Sequence, residues 1–135
     1  MKRKNKTEIV AICVFAVIVF FVSSIAEGAN WELISEDDDI SIYVDNESVR
    51  HVSEIVMRAQ FKIVYKEPFW LKSKSIAYNL IEQENDCSRK KYTVYELTVY
   101  FDDGTINYFK AKEEYSVKSD SFQSAIYEFI CKKSK

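Results

Sequence analysis

Between residues 54 and 65 the side chains alternate without interruption. Ile55, Met57, Ala59, Phe61, Ile63 and Tyr65 fall on one side, with Glu54, Arg58, Gln60 and Lys62 among the residues opposite. A period of two with one apolar side is the pattern of an antiparallel strand that buries one face, so this stretch commits the chain to a sheet. Pro68 is expected to end the strand, since proline cannot donate to a ladder. Related patterns flank it. Residues 31–34 open a short strand, interrupted by Ser35-Glu36-Asp37-Asp38-Asp39, and Ile40, Ile42 and Val44 then alternate with Ser41 and Tyr43 before Asp45-Asn46 turns the chain. Further strands are predicted over residues 75–83 and 90–101. Asp102-Asp103-Gly104 reads as a hairpin turn, with residues 106–110 pairing back. Nine Tyr and nine Phe suit strands, while two Gly and one Pro leave little room for flexible linkers.

Only near the C-terminus does the period change. Phe122, Ala125, Ile126, Phe129 and Ile130 follow helical spacing, with Ser119, Asp120 and Ser121 as N-cap candidates and Asp120 with Gln123 in capping-box spacing. The predicted fold class is therefore α+β: an antiparallel sheet of about six strands with a C-terminal amphipathic helix on its apolar face.

The N-terminus reads as an export signal. Lys2, Arg3, Lys4 and Lys6 precede a nearly unbroken apolar run over residues 9–22, and Ser23, Ser24 and Ala26 follow. That run sits at the upper end of the about 7–15 apolar residues of a signal and falls short of the about 20 that span a membrane. The expectation is a signal peptide over residues 1–26 and one domain over residues 27–135. The alternative is a retained inner-membrane anchor with its positive end in the cytoplasm. Cys13 leaves with the signal. Cys87 and Cys131 remain, and an exported chain with two cysteines most simply joins them, here linking the last helical turn to a strand connection at the sheet edge.

Charge narrows the partners. The net charge is -2, and the signal removes more basic than acidic residues, so the remaining domain is more acidic still. That excludes general nucleic-acid binding, which needs a basic face. Contact with a membrane is expected only through an uncleaved N-terminus.

Trp31-x-x-Ile34, Ile42-Tyr43-x-Asp45, Ser48-Val49, Asp86-Cys87, Tyr100-x-x-x-Gly104, and Ser121 with Cys131 occur in an order and spacing that resembles the bacterial surface-adhesin protein E domain. The resemblance runs over essentially the whole of residues 27–135. It implies an antiparallel sheet with a disulfide-tethered C-terminal helix, and a cell-envelope protein among relatives that bind host matrix and serum proteins. Tyr115 and Ser119-Asp120-Ser121 stand where the family often has Trp and a Pro-Gly-Ser turn.

Catalytic and metal chemistry find no pattern. His51 is the sole histidine, beside Arg50, with no nucleophile motif near it, and reads as a sheet-rim residue. Glu36-Asp37-Asp38-Asp39 lacks the spaced ligands and Gly of a calcium loop and reads as a solvated acidic turn. No enzyme activity, cofactor or metal is expected. Two stretches are candidates for contact with a protein partner. Phe69 and Trp70 follow Pro68 between lysines; exposed, they make an aromatic patch, and folded over, they plug the open end of the sheet. The scarcity of exposed large aromatics favours the plug. Arg89, Lys90 and Lys91 follow Cys87 as either a ligand-attracting cluster or a solvated sheet edge. The reading is a noncatalytic envelope binding module, at the cell surface or in the periplasm, whose partner is another protein or a second copy. The alternative is a small structural periplasmic protein that binds within its own envelope.

Overall fold

A computed structural model describes residues 29–133. The expected signal peptide, with Cys13, lies outside the described residues. Among the described residues no helix is long and apolar enough to cross a membrane.

Strands β1 (Trp31–Glu36), β2 (Ile40–Asp45), β3 (Arg50–His51), β4 (Val56–Leu71), β5 (Lys74–Asp86), β6 (Lys91–Phe101) and β7 (Ile106–Ser116) precede one helix, α1 (Phe122–Lys133). They form a single antiparallel sheet in the order β1-β2-β4-β5-β6-β7, with β3 paired to β4. The alternation anticipated for β4 is present: Met57, Ala59, Phe61 and Ile63 are buried, and beside them lie Ile42 and Val44 of β2. Ile126 and Ile130 of α1 close this cluster and are fully buried. Burying side chains of this size stabilises by about 1.5–3 kcal/mol each. A smaller cluster of Ile76, Val99 and Phe101, packed against Tyr65, Leu71 and Leu97, fills the other end of the sheet.

Several boundaries differ from the sequence expectation. β4 does not stop at Pro68 but runs on to Leu71. Its pairing with β5 breaks between Val64 and Phe69, so Pro68 falls where the ladder needs no donor. β1 reaches Glu36, and the acidic turn shrinks around Asp37, whose Oδ1 accepts from the backbone N–H groups of Asp39 and Ile40 at 2.8 Å each. β7 continues to Ser116 although every one of its residues is exposed. An edge strand with no buried side has no apolar alternation to read, and only its register with β6 defines it.

At the helix start one of the three cap candidates serves, while the expected capping box is absent. Ser121 is the cap: its Oγ accepts from Ser124 N at 3.2 Å, and its O–H donates to Lys118 O at 2.6 Å. Asp120 sits at φ 60°, the left-handed region that glycine enters freely. The Asp120–Gln123 capping box does not form. Gln123 instead turns inward and exchanges two amide hydrogen bonds with Gln83, at 2.9 and 3.0 Å, and Gln83 Nε2 also reaches Asn85 Oδ1 at 3.1 Å. These three amides are buried between helix and sheet and satisfy much of one another's hydrogen bonding.

Cys87 and Cys131 form the disulfide, with Cα atoms 5.6 Å apart. It does not hold the helix to the sheet edge. Cys87 directly follows β5, an interior strand, so the bond fastens α1 near the middle of the sheet. Tyr127 Oη adds a hydrogen bond to Cys87 O at 2.8 Å. The turn after Cys87 is organised by Asp86, which accepts from Ser88 N and Oγ at 3.0 and 2.8 Å and from Arg89 N and Nε at 3.0 and 2.8 Å. Burial works against the Asp86 charge, but the hydrogen bonds from Arg89 and Ser88 outweigh it and hold the carboxyl well below the usual carboxylate range.

Two outcomes follow from this corner. Replacing both Cys87 and Cys131 by Ser, across a sequence separation of 44, lowers unfolding free energy by about 4 kcal/mol in denaturant titrations; an unchanged midpoint would show that the bond restrains nothing. The depressed Asp86 pKa stabilises the fold above the unfolded-state value of about 3.9, and that contribution fades as pH falls below it. Asp86→Asn is therefore less stable than the parent at neutral pH, and the gap narrows on acidification. A gap independent of pH would mean that packing, not charge, holds the turn.

Candidate functional site

The hairpin joining β4 to β5 runs past the end of β2 on one side, while on the other Ser75 O accepts from Asp102 N of the β6–β7 turn at 2.9 Å. Pairing of β2 with β4 ends at Ile40↔Tyr65 and pairing of β5 with β6 begins at Ile76↔Phe101, whereas Phe69↔Ile76, Trp70↔Ser75 and Leu71↔Lys74 continue to the tip. The tip residues Lys72 and Ser73 have φ of 47° and 67°, the positive values of a two-residue hairpin turn, without the Asn-Gly that normally announces one.

Phe69 and Trp70 lie on this hairpin, 52% and 64% exposed. They are not a plug. Tyr65 and Leu71 close that end of the core, packing with Ile76, Val99 and Phe101. Phe69 stacks outside them on Tyr65, with ring centroids 4.9 Å apart and planes at 13°. Successive strand residues point to opposite sides, so the hairpin presents an aromatic surface on each flank. Among the flanking lysines, Lys66 pairs with Glu36 at 2.6 Å and Lys74 with Asp103 at 3.3 Å. The Glu36 hydrogen bond pushes Lys66 upward in pKa and keeps it charged.

Arg89, Lys90 and Lys91 sit at the opposite end of β5, so they cannot form one site with the aromatic hairpin. They lie beside an interior strand, where guarding an edge has no purpose. Arg89 bridges Asp86 at 2.8 Å and Glu114 at 3.1 Å, and Lys91 reaches Glu114 at 3.2 Å. Two of the three cations are thus engaged within the chain. Lys90 takes φ 51° and uses its carbonyl to accept from Val117 N at 2.9 Å. His51 is exposed on β3, its Nδ1 3.4 Å from Ser53 O. Among the described residues no group of three or more His, Cys, Asp or Glu side chains is placed to hold a metal.

One arrangement escapes the sequence reading. On the side of the sheet away from α1, Lys62 Nζ lies 5.1 Å from the Trp31 ring, 5.5 Å from Tyr43 and 5.4 Å from Tyr78, and Tyr78 stacks on Tyr100 at 4.5 Å. These residues occupy the nominally polar side of each strand. The signal was their aromatic type in the solvent-side register, which acquires meaning only when strand order is known.

The Surface-adhesin protein E family matches residues 31–132. No curated protein matches the chain. Among solved structures, crystal form II of Haemophilus influenzae protein E superposes with a TM-score of 0.59 at 12% identity, covering 80% of this chain and 91% of that one. A second structure of Haemophilus influenzae protein E gives a TM-score of 0.56 at 13% identity, covering 80% and 88%. At such identities the superposition establishes a shared fold, and the family match over most of the length establishes kinship: the chain belongs to the Surface-adhesin protein E family.

Proposed function

We propose that this chain is exported with loss of residues 1–26 and acts at the cell surface as a noncatalytic binding module, holding an extracellular or matrix protein through the Phe69–Trp70 hairpin. The single observation that carries this reading is the exposure of two large aromatics on a hairpin past the end of β2, where burial within the chain was available to Tyr65 and Leu71 instead. Exposed aromatic anchors of this kind supply much of the energy at protein interfaces. Family membership supports export and a surface location, and lends no support to a retained inner-membrane anchor. Arg89 and Lys91 are assigned to holding their turn rather than to a ligand, because their charge is already engaged.

Protease shaving and antibody labelling of intact cells, compared with fractionated periplasm, test the location. Labelling of whole cells is expected; protection until the outer membrane is opened would favour the structural periplasmic role. Adhesion of such cells to immobilised matrix proteins tests the hairpin. Trp70→Ala weakens adhesion by about tenfold or more, as loss of an interface anchor does, with no change in melting temperature. Phe69→Ala also weakens it, with a stability loss of about 1 kcal/mol from the Tyr65 stack. Full adhesion by the double variant would sink the hairpin assignment.

A further inference from the structure

The sheet face opposite α1 carries features that neither the core nor the hairpin uses. Among the described residues no element covers it. Registers align two neighbouring rows across the strands: Tyr43, Lys62, Leu80 and Thr98 lead to Tyr108, and alongside them Val64, Tyr78 and Tyr100 lead to Ile106. Tyr108 and Ile106 are 55% and 54% exposed. These rows make one half of the face apolar. The other half is charged: Arg58 meets Glu82 at 2.9 Å and Glu84 at 3.5 Å, and lies 4.2 Å over the Tyr95 ring.

Lys62 is the exception. It is the one charge within the two apolar rows, and it pairs with no carboxylate among the described residues. The rings of Trp31, Tyr43 and Tyr78 hold its ammonium in place. A cation kept among aromatic groups is preorganised for an anion arriving from outside, and little side-chain entropy remains to be lost. We propose that this face docks a protein segment that is apolar around a single carboxylate, and that the carboxylate seats on Lys62. A second copy of the chain fits less well, because its matching rows bring another Lys62 and no acid. Contiguous apolar surface rimmed by charge marks such docking sites, and the lysine adds specificity through charge complementarity.

The probe is a synthetic amphipathic helical peptide whose Leu and Phe strip is interrupted by one Glu, with a twin carrying Gln there. Each is titrated, with amide resonances followed by NMR, into the processed chain isolated from the envelope of an expressing bacterium. The Glu peptide shifts the amides of Tyr43, Lys62, Tyr78 and Tyr100. Its affinity falls about tenfold for the Gln twin, for Lys62→Gln, and on raising salt. Lys62→Arg retains the preference for Glu, which separates loss of charge from loss of packing. Equal binding of the two peptides, no binding, or shifts confined to the Phe69–Trp70 hairpin would each overturn the proposal. So would sedimentation showing a dimer that Tyr78→Ala with Tyr100→Ala disperses, which places a second copy on this face. Loss of this proposal leaves the hairpin reading and cell-surface exposure standing, since the adhesion and labelling measurements decide those separately.

Discussion

One helix has to serve as the second layer of a seven-stranded sheet, and most of the structure follows from that shortage of cover. A twelve-residue helix is about 18 Å long, whereas the sixteen residues of β4 alone extend over about 50 Å. The helix therefore shelters only part of one face. Its anchoring must be firm, since Ile126 and Ile130 are its two fully buried apolar contributions to the core. The disulfide at Cys131, the Tyr127 hydrogen bond and the Gln83–Gln123 amide pair fix the helix against β5 along its length. An amide pair is exacting in this role. Either glutamine alone would leave a buried polar group unsatisfied, so the pair ties the register of helix to sheet.

Beyond the reach of the helix, the sheet supplies its own cover. Tyr65 and Leu71 pack with Ile76, Val99 and Phe101, and Asn79 Nδ2 donates to Tyr65 Oη at 3.0 Å. The irregular pairing between Val64 and Phe69 accompanies this closure and accommodates Pro68. Once these residues have filled the end of the core, Phe69 and Trp70 have nowhere inside to go. Their exposure is a consequence of packing. The acidic and basic turns are organised by a different economy. Asp37 and Asp86 satisfy backbone N–H groups of their own loops, and Arg89 and Lys91 meet Glu114 across the strands. Charge that looks available in a linear sequence is thereby engaged locally.

Sheet and helix were legible because burial on one side imposes a period. β4 shows it in Met57, Ala59, Phe61 and Ile63, and α1 in Ile126 and Ile130. Where burial is absent, so is the signal: β7, exposed throughout, was read only to Lys110. Gln123 misled for the opposite reason, since its capping spacing is local while its partner Gln83 lies forty residues away. Phe69 and Trp70 were legible as residues of interest, but their exposure was not, because it depended on which residues the strand register places in the core.

The sequence by itself determined the α+β class, the approximate strands, the amphipathic helix and the pairing of Cys87 with Cys131. Each of these rests on a short-range period or on a choice among very few cysteines. Only the tertiary structure decided that the disulfide grips an interior strand, that the aromatic hairpin stands outside the core, and that Lys62 lies among three rings from three other strands. Those facts depend on strand order and register, which set distances between residues far apart in the chain and leave no local pattern to read.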